Sequence, residues 1–188
     1  MKTPKLTINK KLLLSYLGMA LLTVTASAYA VISLQNLNRL AYVITGQDYV
    51  ILETSKKMMA AIFAQENTEK KSLIFKDPSF ANIFLTRSRE LKNGIADITK
   101  YRISGLTTAL SQLSALQDQY DALFQKELAL IQENRLQEAS LLSEQEGKAI
   151  IENMANLVRA MGKKAEQDID RHMSSFKEEG MKASRITI

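Results

Sequence analysis

Cysteine is absent from this 188-residue chain and histidine occurs once. Disulfide scaffolds, thiol catalysis and cysteine-based zinc or iron–sulfur sites are therefore excluded. Tryptophan is also missing, proline occurs twice, glycine 7 times, and aromatic residues make up 6%. So few turn formers argue against a strand-rich sandwich or barrel. The abundance of Ala, Leu, Lys, Glu and Gln favours long helices.

No large excess of one charge sign remains once the first residues are set aside. The net charge of +5 includes Lys2, Lys5, Lys10 and Lys11 in a start that carries no acid. Without those four of the 25 basic residues, 21 face 20 acidic ones along the rest of the chain. Interspersed charges of both signs describe solvated helix surfaces, which excludes a nucleic-acid interface.

One long uncharged run does stand out, Leu12 to Leu34, reading LLLSYLGMALLTVTASAYAVISL. As a helix it extends roughly 34 Å at about 1.5 Å per residue, enough for a bilayer core. Its small residues Gly18, Ala20, Ala26, Ser27, Ala28 and Ala30 suit close helix approach. Lys10 and Lys11 precede it, so the positive-inside bias predicts a cytoplasmic N-terminus (1–11) and an extracytoplasmic remainder at the inner membrane. A cleaved signal peptide is the alternative, because Ala26-Ser27-Ala28 and Ala28-Tyr29-Ala30 resemble cleavage sites. The apolar run continues through Val31, Ile32 and Leu34, beyond the usual length of about 7–15 residues, and this favours an uncleaved anchor.

Beyond the anchor, the hydrophobic period predicts four helices at about 35–75, 78–102, 106–133 and 136–185. The first carries Leu37, Leu40, Ala41, Ile44, Ile51, Met58, Ile62 and Leu73, and Gly46 costs it only about 1 kcal/mol relative to Ala. Lys76-Asp77-Pro78-Ser79 breaks it, since proline disfavours helix at the preceding residue. Phe80, Phe84, Leu91, Ile95 and Ile98 mark the second helix, and Ser104-Gly105 the next turn. Leu113, Leu116, Tyr120, Leu123 and Phe124 mark the third, which ends at Asn134, a residue suited to a left-handed cap. Leu141, Ile150, Met154, Leu157, Met161, Ala165, Ile169, Met173 and Phe176 mark the fourth.

Short connections predict an all-α, antiparallel up-down-up-down four-helix bundle, continuous with the transmembrane helix. Its first and fourth helices outreach the other two, so the membrane-proximal parts form a two-helix stalk. A parallel homodimer would join two stalks into one four-helix stem.

This organisation resembles the extracytoplasmic four-helix-bundle sensor regions of bacterial sensor histidine kinases and methyl-accepting chemotaxis proteins. Lys71-Ser72-Leu73-Ile74-Phe75-Lys76-Asp77-Pro78-Ser79-Phe80 is similar to their break between helices one and two. Leu128-Ala129-Leu130-Ile131-Gln132-Glu133-Asn134 is similar to their distal turn. The resemblance implies a stimulus-sensing input module with no enzyme activity of its own. It also implies a second transmembrane helix, expected to start at 186–188 after Arg185, followed by a HAMP linker and a kinase or methyl-accepting region. A single-pass or secreted structural or adaptor bundle of the cell envelope is the alternative.

Chemistry-bearing patterns are sparse. His172, with Asp168 four residues earlier, lacks the partners a metal site needs. Met58, Met59, Met154, Met161 and Met173 sit at the spacing of core packing. Acid pairs such as Glu144 and Glu146, or Glu178 and Glu179, suit a solvated surface better than acid–base catalysis. No catalytic residue, cofactor or metal ligand is assigned. Arg87 and Arg89, with Lys70 and Lys71, are the candidate ligand-binding residues, gathering a small anionic ligand such as a carboxylate at the distal half of the bundle. The other expected partner is a periplasmic protein.

Overall fold

The computed structural model describes residues 8–186 except 78, 102 and 104, and side chains as far as Met181. Pro78, Arg102, Ser104, residues 1–7, Arg185 and the expected second-span start at 186–188 lie wholly or in their side chains outside the described residues. The secondary structure of the described residues is all helix, without a strand. Four helical stretches follow one another, the first long and apolar.

The first comprises α1 (Ile8–Val43), a π-helical turn at Ile44–Asp48 and α2 (Tyr49–Phe75), together 68 residues. Gly46 does not end the helix but falls within that π-turn. Lys76 closes α2 in the left-handed conformation, φ 53°, with its N–H on the Ser72 carbonyl at 2.9 Å. The Asp77 carboxylate then accepts the Ser79 N–H at 2.8 Å, a contact that holds the Asp77 carboxyl below its usual range.

Next come α3 (Phe80–Thr99) and α4 (Thr107–Gln132), joined through Gly105 at φ 92°, a conformation open to glycine and strained for other residues. Asn134, at φ 61°, ends α4 in a Schellman arrangement. Its N–H meets the Ile131 carbonyl at 3.0 Å, and the Arg135 N–H meets Leu130 at 2.8 Å. The last stretch comprises α5 (Leu136–Leu142), a second π-turn at Ser143–Gly147, and α6 (Lys148–Ile186).

Two compact units emerge, and each is described by itself. The unit made of 8–43 and 172–186 contains an 18-residue window of mean hydropathy 1.8 with no residue buried. Leu13, Leu17, Leu21, Leu22 and Val24 are all more than half exposed, so α1 is apolar on every side rather than along one stripe. Its Thr23 and Thr25 hydroxyls are satisfied internally by the Met19 and Leu21 carbonyls, each at 2.9 Å. By length and composition this helix can cross a membrane.

The unit Ile44–Arg171 holds the core. Met58 and Ile62 from α2, Phe84, Leu91 and Ile98 from α3, Leu113 and Phe124 from α4, and Met154, Val158 and Met161 from α6 are all essentially buried. Burial of each such side chain contributes about 1.5–3 kcal/mol. Met58, Met154 and Met161 pack in this core, whereas Met173 is half exposed.

On the last stretch Met154, Met161 and Ala165 are buried as the spacing predicts, and Ile150 and Leu157 pack against the core less deeply than their neighbours Ile151 and Val158. Leu141, by contrast, is exposed.

Candidate functional site: a buried polar core beside a groove

The core of the Ile44–Arg171 unit changes character along its length while its geometry stays regular. On α2 the buried stripe runs Ile51, Ser55, Met58, Ile62, Gln65, Glu69, Ser72, in steps of three and four. On α4 it runs Leu110, Leu113, Gln117, Tyr120, Phe124, Glu127. Both stripes begin apolar and turn polar toward the C-terminal ends of their helices. Polar groups at these positions are held where only a partner can satisfy them.

Gln65 and Gln117 form the first polar layer. Gln117 Nε2 donates to Gln65 Oε1 at 2.8 Å, and Gln65 Nε2 returns a bond to Gln117 Oε1 at 3.2 Å. The same Gln117 amide lies 2.7 Å from Asp121 Oδ1 and 3.1 Å from the Ser88 hydroxyl, which in turn donates to Asp121 Oδ2 at 2.9 Å. Lys92 closes the layer at its solvent side, 2.8 Å from both Asp118 and Asp121. Those carboxylates hold the Lys92 ammonium above its usual range.

Glu69 is the centre of the second layer and is 2% exposed. The Tyr120 phenol donates to its Oε2 and the Ser143 hydroxyl to its Oε1, so residues of α4 and of the π-turn meet on one carboxylate of α2. Burial, with the Glu69 charge added, pushes the Tyr120 phenol far up and keeps it a neutral donor. Phe84 covers this layer, its ring 5.3 Å from Tyr120 and stacked on Phe124 at 3.8 Å.

Glu127 lies beside Glu69 and is fully buried, and neither of its oxygens has a donor among the described residues. Two ionised carboxylates cannot bond each other, so the Glu69–Glu127 contact becomes a hydrogen bond only when one of them carries a proton. Burial first, and the Glu69 charge second, push the Glu127 carboxyl up to about 9. The Ser72 hydroxyl, one turn beyond Glu69, is also buried without a partner among the described residues.

A groove of about 790 Å³ opens onto this layer between α2 and the last helical stretch, with Glu69, Ser143 and Gly147 in its lining. A Cβ at Gly147 would stand 3.3 Å from Glu69 Oε1, so the bare glycine leaves room for that carboxylate. Phe63, Ile151 and Ala155 supply apolar lining, and Lys70, Lys148, Glu144 and Arg159 supply charge.

The four cations singled out in the sequence are divided rather than gathered. Lys70 lines this groove and pairs with Glu66 one turn earlier. Arg87 lines a different groove, of about 590 Å³ between α2 and α3, and forks onto both oxygens of Glu90 at 2.9 and 2.8 Å. Lys71 and Arg89 are exposed and line neither groove. His172 is half-buried in the other unit. Among the described residues no group of three or more His, Cys, Asp or Glu is placed to hold a metal ion.

The buried polar residues were missed by reasoning from apolar periodicity alone, yet a signal was present. Gln65, Glu69 and Ser72 extend the Met58–Ile62 stripe in phase, and Gln117 and Glu127 interrupt the α4 stripe in phase. No protein-family model, no curated protein and no solved structure matches the chain.

Proposed function

We propose that this chain is the stimulus-sensing input part of a transmembrane signalling receptor, a sensor kinase or a chemoreceptor, anchored in the inner membrane by α1 with its N-terminus in the cytoplasm. One observation carries the reading. The helix that contains the fully unburied apolar window also contains Gln65 and Glu69, so the polar core and the membrane candidate belong to one 68-residue helix. A change in packing around Glu69 therefore acts directly on the helix that would enter the bilayer.

In this reading, residues 49–171 form an up-down-up-down four-helix bundle. The order of the contacting pairs supports it. Gln65–Gln117 and Glu69–Tyr120 ascend together along α2 and α4, as helices one and three of such a bundle do. Phe84–Phe124, Ser88–Asp121 and Lys92–Asp118 run in opposite senses along α3 and α4. Gly147–Glu69 and Gly162–Ser55 run in opposite senses along the last helical stretch and α2. A stimulus that binds two packings of these helices unequally would shift the balance between them. Two such chains would pair in parallel through their membrane-proximal helices.

A second reading, an envelope adaptor, draws on a different feature. An apolar groove of about 520 Å³ lined by Ala115, Leu116, Leu157 and Ala160 lies open between α4 and α6. Sequencing the reading frame beyond codon 188 separates the two. A second apolar span leading into a HAMP and a kinase or methyl-accepting region is the expected result. A stop codon directly after Ile188 would remove the two-span receptor and leave the adaptor.

A further inference from the structure

We propose that Glu69 and Glu127 form a buried acid pair that binds one shared proton at neutral pH and releases it as pH rises, loosening the Ser143–Gly147 turn from α2. This concerns the core alone and stands whether or not the chain signals. Its basis is a count of donors. Among the described residues, Glu69 receives two, both neutral hydroxyls, from Tyr120 and Ser143, and Glu127 receives none. Among the described residues no lysine or arginine is bonded to either carboxylate, and both side chains are within 2% of full burial. Two like charges in that setting are shielded from solvent and, among the described residues, have no bonded cation to stabilise them. A single proton on Glu127 resolves both problems. It removes one charge and supplies the O–H that Glu69 can accept, which leaves one negative charge on Glu69 with three donors around it.

The groups facing the pair from each packed element support the same outcome. From α2, Glu66 is engaged by Lys70. From α4, Tyr120 is a neutral donor, and Asp121 is occupied by Gln117, Ser88 and Lys92. From α3, Phe84 and Ser88 carry no charge, and α5 contributes the buried Ala139. The π-turn brings the Ser143 hydroxyl and the exposed Glu144, while α6 brings the exposed Lys148 to the groove. The nearby positive groups are thus either paired elsewhere or solvated at the groove. Burial with the Glu69 charge places loss of the Glu127 proton near pH 9.

Release of the proton leaves two buried charges, which are relieved by admitting water. The groove supplies the route at Gly147, and the part that gives way is the π-turn, tied to α2 by the Ser143–Glu69 bond. Raised pH is therefore expected to open this turn before the apolar half of the core responds.

Infrared spectroscopy of the full chain in detergent micelles tests the proposal. At about pH 7 exposed carboxylates are ionised, so a protonated carboxylic C=O band is expected from this pair. The band should vanish as pH is raised past about 9 and be missing in Glu127→Gln, whose amide fills the same space and donates to Glu69. Amide exchange at residues 143–147, corrected for the intrinsic pH dependence, should accelerate at least tenfold over the same range in the wild type and stay flat in Glu127→Gln. Absence of the band from the wild type, or its persistence in Glu127→Gln, would overturn the shared proton. Equal acceleration in both proteins would overturn the coupling to the turn.

Discussion

Gln65 and Gln117 exchange two hydrogen bonds across the buried core, at 2.8 and 3.2 Å, with both side chains fully shielded from solvent. The reciprocal pairing favours one longitudinal register of α2 against α4, because a shift by one turn would part the two amides and leave one of them facing apolar Leu113 or Ile62. Replacing Gln117 by Leu strands the Gln65 amide, and a buried unsatisfied group costs about 1–3 kcal/mol. Gln65→Leu plus Gln117→Leu is expected to recover most of that loss. Urea unfolding of the full chain in detergent, arranged as a double-mutant cycle, measures the coupling. Strictly additive single-variant losses would show that the two amides do not act as a unit.

At Gly94, α3 packs tightly against α2. A Cβ there would lie 2.6 Å from Met58 Cγ and 3.0 Å from its sulfur, and Met58 is 1% exposed. Gly94→Ala is therefore expected to destabilise by about 1–3 kcal/mol through overpacking, despite alanine's better helix propensity. Gly180 in α6 has open space around it, so Gly180→Ala should instead gain up to about 1 kcal/mol. Parallel melting curves of the two variants separate packing from propensity, and shifts of the same sign would contradict this account.

The helices were legible because their signals are local. Apolar spacing located α2, α3 and α4, and Asn134 marked the end of α4 where its positive φ is found. The π-turn at Ser143–Gly147 was not legible, since one extra residue in a turn leaves no compositional trace. The polar core escaped for another reason. Gln65, Glu69, Gln117 and Glu127 look like ordinary solvated helix residues, and only their phase with Met58, Ile62, Leu113 and Phe124 shows that they point inward. Clusters of cations were easier to notice than to place, because i,i+3 and i,i+4 acids neutralise Arg87 and Lys70 locally.

Phe84 links the apolar and polar halves of the core. It is fully buried, stacked on Phe124 at 3.8 Å and tilted against Tyr120 at 5.3 Å. Phe84→Ala is expected to cost about 3–5 kcal/mol, as large aromatic truncations in cores do. It should also expose the Tyr120–Glu69 bond to water, visible as loss of the near-ultraviolet tyrosine circular dichroism. Phe75 is 65% exposed, and Phe75→Ala should change stability by no more than about 0.5 kcal/mol. Similar losses for the two would mean that the aromatic layer is not a core element.

Glu127 gives the pH dependence of stability a sign that opposes the usual one for carboxylates. An exposed or unfolded glutamate titrates near 4.5, whereas burial and Glu69 push Glu127 up to about 9 in the folded chain. Between those values the folded state binds the extra proton, so this group's contribution is fully present below about pH 4.5 and is lost as pH rises through about 9. The slope is at most about 1.4 kcal/mol per pH unit for a single proton. Other carboxylates contribute in the opposite direction at low pH, so the informative quantity is the difference between wild type and Glu127→Gln. Unfolding free energies measured at intervals from about pH 5 to pH 9 should show the wild type losing stability relative to the variant at each step. A difference that stays constant would mean that Glu127 is ionised in the folded chain throughout, and that the pair has found water or a cation to sustain two charges.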